Sequence, residues 1–541
     1  MTTAASTRGG GTLAGTGTLV RLMLRRDRVK LTSWILSLVA FWTYYTKLVP
    51  SAYPKQSDLD AIAGMMGGPA GRMWTGPTYF LDNMTHETFI PAAYGVYLIL
   101  LVALMSILLI IRHTRVEEQT GRAELVRASV VGRHAPLTAA MLVAVIANAI
   151  VAVLIAIVMI TDPLFATEGS LLFAAGSFVS GLAFAGMTAV IVQVTEYSRT
   201  ATSLAAGAGL GLAFMIKAFG DMGDAHGTLL SWFSPFAWPQ QTAPFVLDRW
   251  WPLLFSLVFA AVTAALGFAL SAHRDVGAGL VPARGGKARA ARWLGSPLGL
   301  AWRLERRTIM WWILGMGFMG MAMGAFADAL APENVPEVLG EVLGSADAGL
   351  GGYVAYMGVF MATIVAIYAV LSMQGVRAEE IGGRAEPVLA AAVSRQSWLG
   401  ANLAVGALGV LLIMGATGLG TGLGVASVTA DNAWVWDATL VHLNHVPAIL
   451  VVLGVAGLLF GWAPRFQGFA WAVVAYGFIA GTFGQLMRLP DWMMGLSPFE
   501  HAARMPVETF ELAPVAILGA ITVGLVVFGL VGIRRRGIGT A

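Results

Sequence analysis

Long apolar stretches separated by short polar joints set the rhythm of this chain. Twelve stretches approach the roughly 20 residues that a helix needs to cross a hydrocarbon layer about 30 Å thick. In the first part of the chain they run over 31–49, 92–111, 137–160, 171–194, 201–220 and 251–271. In the second part they run over 309–330, 353–376, 398–425, 446–462, 469–487 and 513–533. Unpaired backbone groups are costly in lipid, and these runs are far longer than the roughly 10 residues of a barrel strand. The pattern therefore predicts an all-α polytopic membrane protein with about twelve transmembrane helices.

Composition agrees with lipid as the solvent. Of 541 residues, 57% are apolar or aromatic and 12% charged, against about 45–50% and about 25% in soluble domains. Cysteine is absent, which excludes a disulfide, a thiolate metal site and a cysteine nucleophile. Orientation follows from the basic residues, which favour the cytoplasmic side. With the first tail in the cytoplasm, 27 of the 34 Lys and Arg fall on that side and 20 of the 30 Asp and Glu on the other. Both termini are then cytoplasmic in an inner membrane, and the net charge of +4 reports topology; no nucleic-acid partner is needed to explain it.

The chain also repeats itself. TRVEEQTGRAELVRASVVGR at 114–133 and VRAEEIGGRAEPVLAAAVSR at 376–395 align without a gap, with 11 of 20 positions identical at an offset of 262. Ser234, Pro235 and Phe236 recur as Ser497, Pro498 and Phe499, and a basic lead-in with Arg25, Arg26 and Trp34 recurs as Arg306, Arg307 and Trp312. Six spans, an even number, separate equivalent points, so the two six-helix halves share one orientation and are related by an axis along the membrane normal, with a pathway expected between them. The divisions are a tail and amphipathic lead-in helix at 1–30, a first half at 31–272, a linker and second lead-in helix at 273–308, a second half at 309–534 and a tail at 535–541. The second lead-in, around residues 302–307, is expected to lie along the interface.

The repeated loop concentrates charge: Arg115, Glu117, Glu118, Gly121, Arg122 and Glu124 in one copy, and Arg377, Glu379, Glu380, Gly383, Arg384 and Glu386 in the other. On a continuous helix Glu118 would face Arg122, and Glu380 would face Arg384, each pair adding only about 0.3–0.5 kcal/mol. Topology requires arginine but gains little from acids. Six glutamates held in register across both copies therefore suggest a docking surface on the cytoplasmic face.

The pattern RxEExxGRAE, twice in one chain of twelve predicted spans, resembles the permease of actinobacterial ATP-binding-cassette exporters of the polyketide-antibiotic (tetronasin-type) and multidrug efflux family. The resemblance covers nearly the whole chain. It implies that the loop after each half's second span is a coupling helix seated in an ATPase subunit, and that the twelve charged and glycine positions named above form that contact. It further implies membrane-dipping helices before each half's last span, where LLSWFSPFAWPQQTAPF and GLSPFEHAARMPVETF stand. Its architecture turns the second and fifth spans of each half toward the axis, which nominates Tyr94, Tyr97 and Phe214, with Tyr356, Phe360, Tyr476 and Phe483, as the substrate path. No GxxxxGK[ST] loop occurs, so ATP and Mg2+ are expected on two separate ATPase subunits, with no cofactor or metal on this chain. The cargo would be lipophilic or amphiphilic, such as polyketides and drugs.

Two rivals stay open. An ion-coupled secondary transporter would carry buried acids or histidines in its spans. Here Lys217 and Asp328 stand near outer ends, where snorkelling is expected, Glu196 sits beyond a cytoplasmic end, and His442 with His445 make at most a weak metal pair. A membrane enzyme or envelope scaffold is the other; an enzyme would need His, Asp or Glu converging at one depth. Gly320 and Gly324, within a methionine-rich run, suggest close helix packing.

Overall fold

A computed structural model of the chain describes residues 11–129, 131–281, 289–330, 349–483 and 489–537, with no strand among them. It divides into two compact units, Met1–Gly286 and Lys287–Ala541. Ten helices among the described residues are long and apolar enough to cross a membrane.

The first unit is built on α1 (Thr16–Ala52), α2 (His86–Gln119), α3 (Ala135–Ile160), α4 (Thr167–Val194), α5 (Ser198–Gly223) and α6 (Leu253–Ser271). The central element α4 packs against α2, α3 and α6, while α1 lies along α3. Trp42 of α1 is fully buried and stacks on Phe173 of α4 at 4.4 Å, an aromatic contact of about 0.5–1.5 kcal/mol beyond its area. On α3 the residues Ile146, Ile150, Val153, Ile157 and Ile160 stay exposed. Their alternating three- and four-residue spacing makes one apolar stripe, as a lipid-facing helix requires.

The second unit repeats the plan with α7 (Pro297–Gly324), α8 (Gly349–Ile381), α9 (Arg395–Thr429), α10 (Ala433–Trp462), α11 (Ala470–Phe483) and α12 (Leu512–Arg535). The pairs α7 with α9, α8 with α10, and α10 with α12 correspond to α1 with α3, α2 with α4, and α4 with α6. The glycine expectation holds at α7 and α9. A Cβ on Gly320 would come within 2.3 Å of the Thr417 carbonyl, and one on Gly324 within 2.1 Å of the Thr421 carbonyl. Only glycine lets these two backbones touch.

Two of the twelve expected spans fall outside the ten. In α1 the stretch TYYTK lowers the hydropathy, and α11 is described only to Phe483, whose side chain is outside the described residues, as is that of Asp328. The lead-ins also differ from expectation. Residues 16–52 form one unbroken helix, and so do residues 297–324, capped by the Ser296 hydroxyl, which accepts from the Gly299 amide. No proline or glycine stands between Trp302 and Ile309, so nothing separates the basic turn from the span.

Candidate functional site

Each repeated loop is an elbow made by one glycine. At the end of α2 the helix loosens into a π turn over Arg112–Val116, closes a last turn at Glu117–Gln119, then breaks at Gly121 with φ +73° and restarts at Arg122–Arg127. At the end of α8 the break is Gly383, φ +69°, and the restart is Ala385–Ala390. A Cβ at Gly121 or Gly383 would meet nothing within 4 Å. The glycine is therefore required by backbone conformation rather than by space. Gly121→Ala or Gly383→Ala is expected to destabilise by about 1–2 kcal/mol, read as a lowered unfolding midpoint in detergent, with asparagine at either position costing less.

The break re-pairs the charges. The expected contacts of Glu118 with Arg122 and of Glu380 with Arg384 do not form, because the helix that would place them four residues apart has ended. Instead the first acid of each copy reaches across the glycine: Glu117 to Arg122 at 3.8 Å, and Glu379 to Arg384 at 2.9 Å. The second acid turns inward. Glu118 binds Arg274, just past α6, at 2.7 Å, and also Arg115 at 2.8 Å. Glu380 takes Arg536, just past α12, through both of its oxygens at 2.6 and 2.8 Å. These partners are equivalent by the repeat offset, so each half carries the same latch between its elbow and the end of its sixth helix.

A second fastener accompanies each latch. Arg133 donates to the carbonyls of Ser271 and Ala272, and its counterpart Arg395 donates to that of Arg536 at 2.6 Å. Arg115 is fully buried and also donates to the carbonyls of Val192 and Ala278, whereas Arg377 is half-buried. In the first half α1 joins as well. Asp27 is buried and takes both oxygens to Arg112, at 2.6 and 2.7 Å, with His113 3.2 Å away, and Arg26 binds Glu117 at 2.8 Å. Burial disfavours the Asp27 carboxylate, but the Arg112 hydrogen bonds, with the charges of His113, Arg112 and Arg26, outweigh it and hold the group below its ordinary value.

What remains outward is a small tip. Arg122, Glu124 and Leu125 are exposed in the first half, and Ile381, Arg384, Glu386 and Pro387 in the second. Of the twelve positions singled out by the motif, Arg115, Glu118 and Glu380 turn into the latch and Arg122, Glu124, Arg384 and Glu386 form the outward tip, a division that side-chain type alone did not reveal.

The same family matches both parts of the chain: the multidrug efflux system permease Rv1217c C-terminal domain, over residues 17–270 and 294–534. The multidrug efflux system permease protein Rv1217c of Mycobacterium tuberculosis strain H37Rv is 38% identical over 544 residues, covering 98% of this chain and 96% of that protein. The chain belongs to this multidrug efflux permease family. It is a multi-pass membrane protein of a transport system, and as a permease it is the membrane part rather than an enzyme.

The aromatic positions of this permease fall into two groups. Tyr94 stacks on Tyr45 at 3.9 Å, half-buried, while Tyr97 is 40% exposed and Phe214 packs on Trp74 at 5.5 Å. Tyr356 stacks on Phe360, which meets Phe478 at 6.0 Å, and the Tyr476 hydroxyl donates to the Met493 carbonyl. The segments before the sixth helices form short turns, Ser231–Phe233 with Gln240–Thr242, and Asp491–Met494 with Pro498–His501. Their repeated Ser-Pro-Phe has a structural task. The serine hydroxyl accepts from the backbone amide two residues on, and Phe236 and Phe499 are buried.

Burial of charge within the spans exceeds expectation. Lys217 does not snorkel: it is fully buried, 3.5 Å from fully buried Asp221, and its Nζ donates to the Met73 carbonyl at 2.8 Å. The Ser231 hydroxyl donates to Asp221 at 2.6 Å. His442 and His445 are buried too, each ring donating through Nδ1 to the carbonyl four residues earlier. A charge near the end of an apolar run looks exposed in sequence, and here the Pro69–Thr75 helix covers it. If the pair is a structural clamp, Lys217→Met with Asp221→Leu, which removes both charges together, is expected to retain efflux; abolished transport in a folded double variant would assign the pair to ion coupling.

Proposed function

We propose that this permease is the membrane subunit of an ATP-driven exporter in the inner membrane. Two separate ATPase subunits would dock on its elbow tips and move lipophilic or amphiphilic compounds outward along a route shared by the halves. The carrying observation is the doubled elbow, with an exposed Arg-and-Glu tip on each side and a buried Glu–Arg latch behind it. Such a tip offers a partner a charged surface, and the latch ties any push on it to the end of a membrane helix. ATP and Mg2+ would reside on the partners. A swing from 1:99 to 99:1 between two access states needs about 5.5 kcal/mol of differential binding, delivered through the two tips. The aromatic groups around Tyr97 with Phe214, and Tyr356 with Phe360, suit an apolar guest.

The buried Lys217–Asp221 pair favours a second reading, in which an ion gradient drives export. One experiment separates them. The tagged permease is isolated from its native membrane for identification of bound proteins, and vesicles holding it are assayed with ATP and with a proton gradient. Co-purified ATPase and ATP-dependent transport insensitive to an uncoupler are expected. Transport by the chain alone that collapses with the gradient would overturn the proposal.

A further inference from the structure

The first unit holds an open pocket at the end of its spans opposite the elbow. One wall is a single face of α2, formed by Pro91, Ala92, Gly95 and Ile99, and the other is α4 at Phe173 and Gly176. Tyr94 and Tyr97 are not among its lining residues. The roof is the loop before α6, and its backbone is strained: Ala243, Phe245 and Asp248 all adopt positive φ, at +46°, +66° and +44°. Non-glycine residues held this way are costly and cluster at ligand sites.

The lining has a definite chemistry. No Asp, Glu, Lys or Arg contributes to it, so a charged guest would lose hydration without a counter-charge. One polar group is incomplete. Gln240 donates through Nε2 to the Thr75 carbonyl at 2.9 Å, but its Oε1 is buried with no hydrogen-bond partner. Tyr79 is fixed, its hydroxyl donating to Gln241 at 3.0 Å and its ring stacked on His226 at 4.6 Å. An orphaned acceptor among these apolar residues suits a donor on a guest.

The second half builds the equivalent α2 wall from different side chains. At the repeat offset Pro91 becomes Tyr353, Gly95 becomes Met357 and Ile99 becomes Met361, while Ala93 and Tyr94 are kept as Ala355 and Tyr356. Tyr353 and Met357 are larger than the residues they replace, all three side chains are buried, and the Tyr353 hydroxyl donates to the Met323 carbonyl at 2.7 Å.

We infer that the first half carries a binding site for an uncharged lipophilic small molecule with a hydrogen-bond donor, its apolar body between α2 and α4 and its donor on Gln240 Oε1. The inference rests on the export proposal for the guest's role as cargo, but the site itself stands on the cavity.

The test uses the full-length permease in phosphatidylcholine nanodiscs and three photoreactive diazirine probes: a steroid alcohol, its ketone analogue without the hydroxyl, and a phosphatidylcholine with a diazirine in its tail. The alcohol is expected to label peptides of α2 and α4 around Ala92 and Gly176, more strongly than the ketone. Ala92→Phe, which fills the space, and Gly95→Met, which installs the residue of the second half, should each cut that labelling roughly tenfold, a loss of about 1.4 kcal/mol in binding. Gln240→Leu should erase the preference for alcohol over ketone. Monodisperse elution and unchanged ATPase co-purification certify that the variants fold. Labelling elsewhere, labelling unaffected by both filling variants, or lipid-tail labelling that excess alcohol does not displace would each overturn the site. Failure of ATP-driven efflux with the labelling intact would sink the export proposal and leave the site standing.

Discussion

Reversing charge at the two tips, through Arg122→Glu and Glu124→Lys with Arg384→Glu and Glu386→Lys, is expected to leave the permease inserted while ATPase co-purification and efflux are lost. The fold should survive because these side chains do little for it. Arg122 and Arg384 are 53% and 57% exposed, and their pairs with Glu117 and Glu379 are of the surface kind, worth about 0–1 kcal/mol. A docked partner would instead meet like charge where it needs opposite charge, at a cost of several kcal/mol, so binding should fall at least tenfold. Membrane abundance, pull-down of the ATPase and efflux rate are the three readouts. Undiminished efflux from a normally abundant variant would remove the tips from the mechanism.

Breaking a latch should act on stability instead. In Glu380→Ala the guanidinium of Arg536, only 18% exposed and set over the Phe460 ring at 4.9 Å, loses both charge-assisted hydrogen bonds. An uncompensated buried charge costs roughly 3–5 kcal/mol, a large share of what holds a membrane domain together. Replacing both partners, Glu380→Met with Arg536→Met, should recover most of the loss, because apolar side chains of similar volume substitute well for a buried pair. Unfolding in mixed micelles measures both variants. Equal stabilities for the single variant and the parent would mean that the latch holds nothing.

These two expectations mark what the chain discloses in one dimension and what it withholds. The spans are legible because apolar length is a strong signal, and the twofold plan because 114–133 and 376–395 share 11 of 20 residues. That both elbows bend at a glycine could also have been foreseen, since Gly121 and Gly383 follow the same acids. The partners of those acids could not. Arg274 and Arg536 lie 156 residues beyond Glu118 and Glu380, and only folding brings the sixth helix of each half back to the elbow. Local spacing favoured Arg122 and Arg384, and the left-handed glycine defeats local spacing.

Burial was hidden for a related reason. Lys217 near the end of an apolar run looks like a snorkelling residue until the Pro69–Thr75 helix closes over it. The cavity was invisible because glycine and alanine in a span signal close packing as readily as space. Gly95 serves the first meaning, since a Cβ there would come within 3.0 Å of the Phe173 ring, while Ala92 beside it borders the space.

The unbroken run of α1 has a mechanical consequence. At 1.5 Å per residue, 37 residues make a rod of about 55 Å. Near one end Arg26 and Asp27 grip the elbow, and near the other Lys47 is tied to Asp162 at 2.7 Å. A stiff bar with no hinge between these two contacts would be expected to pass a displacement at the first elbow on to the Lys47–Asp162 end as tilt of the whole helix.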